Sequence, residues 1–356
     1  MDSKGKLKVQ DIYIGKPDAK DELLLQKSNE FLESYVIPPN FSFDDIINKD
    51  KMFIYGNKGT GKTALLLYLE SECQKHDDCT CTSFILFKSQ YGNVQRLGLD
   101  KISRNIVKTI DVDNDILQNE QDFEYIWRWI FFKHIVEENE NSNCGIFVDD
   151  ENWTNFVATV NRILPERTSG KIFKFPSIVK IGMSYSSETS GTQSIKPELT
   201  LDFNEKENLK EYTQFVSLID VAAKQFGKLT RTDIPFYIFV DELEAFYADD
   251  DILCRDLRMI RDLILTVKLF NDFFITYGFA KTKFICSIRT EIVNSVIQFV
   301  PPKEINKVIS GFSWPLIWNY SNTNSYAHPI FEIWLRRIEL SETRIGNKWR
   351  FAILCG

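Results

Sequence analysis

The sequence lacks the features that would place the protein in a membrane or outside the cell. No apolar run in its 356 residues approaches the ~18 residues that a membrane-spanning helix needs. The first stretch, MDSKGKLKVQ, has no apolar core of the kind that a signal peptide carries. We therefore expect a cytoplasmic protein without a membrane partner.

The sequence also lacks an excess of basic residues, with 43 Lys and Arg against 50 Asp and Glu. Seven cysteines scattered over the chain without an export signal predict reduced thiols rather than a disulfide framework. The formal net charge of −7 argues against a protein whose whole surface binds nucleic acid, although a local basic patch fits the same net charge. The remaining composition, 44% hydrophobic and 26% charged, is that of a globular chain with two or three packing units.

One crowded stretch, CQKHDDCTC, contains four residues of types that bind zinc. Ligands of a structural zinc ion usually come as two separated pairs held by rigid turns, and four within nine residues would surround one ion poorly. We therefore favour the alternative, a helix end that carries incidental thiols and is followed by a turn. The four candidate ligands are Cys73, His76, Cys79 and Cys81.

The strongest functional signal is residues 52–69, MFIYGNKGTGKTALLLYL, which predict an apolar strand, a glycine-rich loop and a helix. Glycine allows the main chain to curl closely around phosphate oxygens, and the free N–H groups of the following helix face the same oxygens. This spacing is that of a P-loop. The predicted nucleotide-binding residues are Gly56, Asn57, Lys58, Gly59, Thr60, Gly61, Lys62, Thr63 and Ala64.

Two side chains of this loop have predicted chemical roles. Lys62 would bridge the β- and γ-phosphates as a catalytic point charge, and the Thr63 hydroxyl would coordinate Mg²⁺. We find no guanine-specific Asn/Thr-Lys-x-Asp motif in the sequence, which favours ATP over GTP. The predicted cofactors are therefore ATP and Mg²⁺.

A second landmark is the segment PFYIFVDELEAFY at residues 235–247, a strand of bulky apolar residues that ends in two carboxylates. When such a strand is buried beside the P-loop strand, its last residues emerge next to the phosphates. Asp241 would then hold Mg²⁺, and Glu242 would orient and deprotonate the attacking water. The alternative is an acidic helix cap. We assign Glu244 to the following helix rather than to the site.

A third strand, FICSIR at residues 284–289, has polar residues where it ends. In P-loop ATPases that have an additional catalytic glutamate, a residue at the end of this strand senses the γ-phosphate. Ser287 and Arg289 are the predicted sensors, and Arg289 would also stabilise charge in the transition state as a catalytic group.

Several other residues have both a functional and a packing interpretation. Tyr35, Val36 and Pro38 precede the P-loop and are candidates for contact with adenine, although packing in the core is favoured. His134 is interpreted as a residue of the core or its boundary.

Three arginines recur every three residues within the helix expected over residues 250–270. Arg255, Arg258 and Arg261 could supply an arginine finger to a neighbouring subunit or contact nucleic acid. Aspartates lie among them, so we favour a solvated, salt-bridged face.

The motifs GNKGTGKT, IFVDE and ICSIR, with a helix of the type IFEIWLRRIEL, resemble the nucleotide-binding module of AAA+ and STAND ATPases. Within these branches the chain is most similar to bacterial ATPases of anti-phage and mobile-element gene neighbourhoods, and origin-recognition ATPases share the plan. The resemblance implies an α/β fold: a P-loop NTPase parallel sheet of order 5-1-4-3-2 between helices, followed by a helical lid.

The spacing of the motifs predicts the domain organisation. Residues 1–50 would form an arm and a helix, and residues 51–99 with 231–312 the ATPase core, whose last strand is expected at 307–310. From Thr63 to Asp241 is 178 residues, too long for a bare core. Residues 100–230 are therefore interpreted as an insertion of helices plus a β-hairpin at 179–203. Residues 313–356 would form a partial lid, with its helix at 328–340.

These residues predict an ATPase that acts as a regulated switch in prokaryotic defence or signalling, with a second copy or an effector protein as partner. The main alternative is an origin-recognition-like ATPase that binds DNA and turns over little, which the acidic balance disfavours. A third interpretation is a scaffold that keeps ATP as a structural ligand.

Overall fold

The fold is a parallel sheet with helices on both faces. The computed structural model of the chain describes residues 8–16, 19, 21, 28–39, 41–110, 123–141, 144–163, 209–247, 249–300, 304–318 and 328–345. The strands within these residues are β1 (Phe53–Gly56), β2 (Cys81–Leu86), β3 (Phe236–Asp241), β4 (Thr282–Arg289) and β5 (Ser313–Pro315). Among the same residues, no helix is long and apolar enough to cross a membrane.

Helices connect the strands in chain order. The helices are α1 (Ser28–Ser34), α2 (Phe43–Ile47), α3 (Lys62–His76), α4 (Phe87–Gln90), α5 (Asn93–Ile110), α6 (Glu124–Asn141), α7 (Glu151–Arg162), α8 (Leu209–Phe226), α9 (Asp250–Thr276), α10 (Thr290–Phe299), α11 (Ile305–Phe312) and α12 (Pro329–Ile345). A short 3₁₀ turn, Val9–Asp11, precedes them.

All strand pairs are parallel, and the order read from the β5 edge is β5-β1-β4-β3-β2. The expected α/β class and the parallel sheet between helices are therefore confirmed. The fifth strand differs in position from the prediction at 307–310, which is wrong. That segment lies in α11, where Ile305, Val308, Ile309 and Phe312 recur at helical spacing and pack against the core.

The sheet buries both faces, so its strands are almost continuously apolar. Alternate residues of one strand enter opposite layers: Phe236 and Ile238 of β3 belong to one apolar core, and Phe239 to the other. α3 packs in the second layer through Leu65 and Leu69, together with residues of α1 and α2. α6 to α11 pack in the first layer.

The region between β2 and β3 contains α4 to α8 in the described part of the chain. Trp127 and Phe131 of α6, Phe156 of α7 and Phe226 of α8 lie in the same apolar core as the inner face of the sheet. The helices of the expected insertion therefore share one apolar core with the sheet. The predicted β-hairpin at 179–203 lies outside the described residues, and the domain boundaries stay a prediction.

The N-terminal arm and the C-terminal helix contact each other. The Tyr13 main-chain N–H donates to the Ser341 hydroxyl of α12 at 2.7 Å. Arg336, also on α12, donates to the main-chain oxygen of Tyr35 at 2.7 Å. The helix predicted at 328–340 is therefore present and packs beside α1.

Candidate nucleotide-binding site

The glycine-rich loop connects the end of β1 to the start of α3. Gly59 and Gly61 have φ angles of +80° and +84°, in the left-handed region that favours glycine. α3 begins at Lys62 and directs its first N–H groups into the loop. The predicted phosphate-binding residues form this continuous turn: Gly56, Asn57, Lys58, Gly59, Thr60, Gly61, Lys62, Thr63 and Ala64.

Lys62 bends back over the loop. Its Nζ atom donates to the main-chain oxygens of Gly56 at 3.0 Å and Asn57 at 2.6 Å. The residue is only 7% exposed, and burial, with the nearby charge of Arg289, lowers the pKa of the ammonium group. A cationic group is therefore held at the loop that the sequence predicts to bind phosphate.

Asp241, at the end of β3, joins the loop to the neighbouring strand. Its Oδ2 atom accepts a hydrogen bond of 2.7 Å from the Thr63 hydroxyl, and its Oδ1 atom accepts one from the Ser287 hydroxyl of β4. Parallel pairing brings these residues together, because the carboxyl ends of β1, β3 and β4 lie at one edge of the sheet. The Thr63 and Asp241 oxygens are adjacent hard donors, which fit Mg²⁺.

Glu242 adopts an unusual backbone conformation next to this aspartate. Its φ angle is +62°, which costs energy for a residue with a side chain. Its Oε2 atom accepts hydrogen bonds from both the main-chain N–H, at 2.8 Å, and the hydroxyl of Ser89 on α4. The predicted general base is thus held by α4.

Arg289 is also held by a carboxylate. It forms an ion pair with Glu244, whose other oxygen lies 2.7 Å from Nζ of Lys88 on α4. Glu244 follows β3 in an irregular segment rather than in a helix, so its expected helical assignment is wrong. Ser287 contacts Asp241, and the sensor roles of Ser287 and Arg289 stay predictions.

Two further contacts reach the loop from later in the chain. Glu291 of α10 accepts a 3.0 Å hydrogen bond from the main-chain N–H of Lys58. Burial acts to raise the pKa of Glu291, but this hydrogen bond and the nearby positive charges outweigh it and lower the pKa. Trp318, after β5, donates to the main-chain oxygen of Thr60 at 2.8 Å.

The arginine series of α9 differs from the prediction of a solvated face. Arg255 and Arg261 are 3% and 0% exposed and form buried ion pairs with Asp256 and Asp262. They pack inside the protein because α9 is covered on several sides by neighbouring helices. The expectation of salt bridges is confirmed for these two arginines, whereas that of a solvated surface is wrong. Burial also removes them as an arginine finger or nucleic-acid contact.

The residues proposed to contact adenine mostly serve packing. Tyr35 stacks on Tyr68 with ring centroids 4.7 Å apart, and Val36 and Pro38 are buried. His134 is buried, as expected, and its Nε2 atom lies 2.8 Å from the Ser83 hydroxyl.

The four crowded zinc candidates are not brought together. Cys73 is buried, and burial raises the pKa of its thiol to about 12, whereas Cys79 is exposed and free. Cys81 forms a disulfide with Cys144, 63 residues away. The prediction of reduced thiols is therefore wrong for Cys81 and Cys144, which the fold places beside each other.

Several contacts of the site were missed by reasoning from the sequence. Ser89, Lys88, Glu291 and Trp318 stand in no motif. Lys88 and Ser89 come shortly after the apolar strand β2, and polar residues after a parallel strand lie at the end of the sheet where ligands bind. That positional signal could have found them.

The fold and the site together define the class of protein. A parallel sheet with a glycine-rich loop after β1 and an acidic residue at the end of β3 is the arrangement of an AAA+-like P-loop ATPase domain. The model of the ORC-CDC6-like family matches residues 26–248, more than half of the chain, and the chain therefore belongs to the ORC-CDC6-like family. No curated protein and no solved structure gives a significant match.

Proposed function

We propose that the protein binds MgATP at the loop of residues 56–63, hydrolyses it and acts as a regulated switch. The observation that carries this proposal is the Asp241 carboxylate between the Thr63 and Ser287 hydroxyls, beside the buried ammonium group of Lys62. This arrangement collects a cation, hydroxyls and a carboxylate at the free N–H groups of a helix, which suits a metal-bound polyphosphate.

Each residue has a role in binding. Lys62 would exchange its main-chain partners for β- and γ-phosphate oxygens, which are stronger acceptors because they are charged. Thr63 and Asp241 would hold Mg²⁺, which, when bound, neutralises charge on the phosphates. Glu291 would give up the Lys58 N–H or share it with the nucleotide.

Hydrolysis would need a rearrangement of two side chains. Glu242 can act as general base only when its carboxylate leaves Ser89 and faces a water at the γ-phosphate. Arg289 can reach developing charge only when it leaves Glu244. The two restraints come from different elements: Ser89 lies on α4, whereas Glu244 follows β3 and is shared between Arg289 and Lys88. A displacement of α4 would therefore release Glu242 and leave Arg289 paired with Glu244. The restraint on Glu242 supports a regulated enzyme over a scaffold.

The biological setting remains a prediction. The narrower resemblance to STAND and anti-phage ATPases favours prokaryotic defence or signalling, with a second copy or an effector protein as partner. Membership of the ORC-CDC6-like family favours a second candidate, a DNA-binding ATPase of origin-recognition type with little turnover. The net charge of −7 weighs against it.

Phosphate release from the purified chain with MgATP, alone and with double-stranded DNA, tests both functions. We expect turnover that is lost in Lys62→Ala and in Glu242→Gln. Lys75→Ala, an exposed lysine on the same helix, is the matched control and should keep full turnover. Turnover that persists in Lys62→Ala would contradict the proposed site.

DNA binding is tested separately by retention on DNA at increasing salt. Phosphate contacts weaken steeply with salt, so a DNA-binding ATPase would lose DNA as the salt concentration rises. DNA retention with tight ATP binding and no turnover would favour the second candidate. No retention at low salt would exclude it.

A further inference from the structure

Three groups with affinity for metals meet at the end of the sheet opposite the phosphate loop. Cys81 is the first residue of β2, Glu138 lies on α6, and Cys144 follows α6 in the chain. The ligand atoms of the three residues all lie within 4.8 Å of one another. In the β2–β3 pair, Cys81 lies opposite Phe236, at the amino end, whereas Asp241 lies at the carboxyl end.

The carboxylate in this group is better matched to thiols than to a disulfide. Glu138 is 0% exposed and Cys81 is 4% exposed. The Oε2 atom of Glu138 lies 3.6 Å from Sγ of Cys81. A disulfide sulfur carries no hydrogen, so this contact becomes a hydrogen bond only when Cys81 is a thiol.

We propose that, once the Cys81–Cys144 bond is reduced, Cys81, Cys144 and Glu138 bind a zinc ion. Two thiolates and a carboxylate are a ligand set that Zn²⁺ accepts, whereas Mg²⁺ and Ca²⁺ prefer oxygen ligands alone. Their summed charge of about −3 is largely offset by a divalent cation. Cys144 is partly exposed, so a water molecule can reach the remaining coordination position.

The chemistry balances with a dithiol as reductant. The two thiols of the reductant become a disulfide, and two electrons and two protons pass to Cys81 and Cys144. Zinc binding then releases these two protons to solvent, because thiolates are the ligand form. The sulfur atoms move apart on reduction, and the Cα atoms, 6.0 Å apart, keep both side chains within reach of one ion.

The site would hold the same two segments together in either state. The disulfide links the start of edge strand β2 to the segment after α6, and a zinc ion would link them through the same sulfur atoms. Because the linkage lies at the amino end of β2, zinc removal should leave ATP binding at the carboxyl edge intact. This inference does not depend on the proposed ATPase function.

Metal titration of the full chain tests the proposal. The protein is reduced with a phosphine, stripped with a chelator and titrated with Co²⁺ as a spectroscopic substitute, then with Zn²⁺. We expect one equivalent of Co²⁺ with thiolate charge-transfer absorption, displaced by Zn²⁺. Cys81→Ser and Cys144→Ser should lose the absorption, and Glu138→Gln should weaken binding by at least the roughly 10- to 100-fold that loss of a second-shell partner costs. Cys79→Ser, an exposed thiol two residues from Cys81, should bind like the parent chain.

A second measurement needs no variant and covers the case in which a substitution prevents folding. Reduced protein is alkylated with and without Zn²⁺, and the cysteines are quantified by peptide mapping. Zinc should protect Cys81 and Cys144 together while Cys79 reacts at the same rate in both samples. Equal alkylation with and without zinc, or Co²⁺ uptake unchanged in Cys144→Ser, would overturn the proposal.

Discussion

The candidate site has two halves that differ in how their side chains are engaged. In the phosphate half, Lys62 contacts the loop itself, and Thr63 contacts Asp241. In the catalytic half, Glu242 and Arg289 contact groups outside the loop. Because the two halves have different contacts, we expect that hydrolysis can be changed while nucleotide binding is kept.

Two residues of the short helix α4 contact carboxylates in the catalytic half. Ser89 holds Glu242 directly, and Lys88 holds Glu244, which in turn pairs with Arg289. Ser89 and Lys88 lie on α4, immediately after edge strand β2, whereas Glu244, the partner of Arg289, follows β3. The phosphate half is contacted from other elements: Thr63 on α3 bonds to Asp241, Glu291 of α10 accepts from the Lys58 N–H, and Trp318 donates to Thr60.

The largest expected effect separates the two halves by substitution. Glu242→Gln should lower the turnover number by about 10²- to 10⁴-fold, the usual contribution of a general base. ATP affinity should change little, because Glu242 lies outside the phosphate loop. Single-turnover hydrolysis and equilibrium binding of a fluorescent ATP analogue measure the two quantities.

Lys62→Ala is the paired variant, and it should weaken ATP binding as well as turnover. If Glu242→Gln weakened ATP binding as strongly as Lys62→Ala does, the division into two halves would be wrong.

A second prediction concerns the buried pair that fixes the segment after β3. Arg96 pairs with Asp256 and donates to the main-chain oxygen of Glu244, while Asp256 accepts from the Phe246 N–H at 2.9 Å. Both charged side chains are 0% exposed. Asp256→Asn leaves two buried arginines, Arg96 and Arg255, without their shared counter-charge and should lower the free energy of unfolding by about 3–5 kcal/mol.

Urea denaturation of Asp256→Asn measures this loss. Asp251→Asn, an exposed aspartate in the first turn of the same helix, is the control and should lose less than about 1 kcal/mol. In the folded fraction, ATP binding should persist, because the phosphate half does not contact this pair. Equal stability of the two variants would show that the pair does not anchor the segment.

The two halves also differ in how far the sequence predicts them. The loop residues from Gly56 to Thr63 follow from local spacing, because one turn and one helix start suffice to bind phosphate. Asp241 and Ser287 follow from strand ends, since parallel strands share their carboxyl edge. These expectations need only the order of the strands.

The restraints on the catalytic half could not be predicted in the same way. The Glu242 contact to Ser89 joins residues 153 apart in the chain, and nothing local in either segment specifies it.

The arginines of α9 were misinterpreted for a related reason. Their spacing beside aspartates fits a solvated helix and a buried ion-paired helix equally well, and only the packing of neighbouring helices distinguishes these cases. The strand expected at 307–310 failed because a short apolar run fits either period.

A smaller effect should come from releasing the general base. Ser89→Ala removes the hydroxyl that bonds to Glu242 but keeps the main-chain N–H contact. A hydrogen bond to a charged group contributes about 1.5–3 kcal/mol, so loss of this one bond should raise turnover by at most roughly 10- to 100-fold. Steady-state phosphate release measures the change.

Ser310→Ala, an exposed serine on α11, is the matched control for Ser89→Ala and should leave turnover unchanged. A fall in turnover in Ser89→Ala would instead mean that Ser89 positions Glu242 for catalysis rather than restraining it.

The smallest expected effect concerns a residue outside both halves of the site. It tests whether a change of charge elsewhere in the sheet leaves ATP affinity unchanged. Lys283, near the amino end of β4, donates to the main-chain oxygens of Ile46 and Lys49, and burial lowers its pKa from 10.5 to about 8. Between pH 8 and pH 10.5, Lys283 stays protonated in the unfolded state but loses its proton in the folded state, so the free energy of unfolding rises with pH. From pH 7 to 9 the parent chain should gain about 1.4 kcal/mol relative to Lys283→Met. Urea denaturation at both pH values measures this difference. ATP affinity measured at the same pH values should show no matching change, because Lys283 lies near the amino ends of the strands and Asp241 at their carboxyl ends.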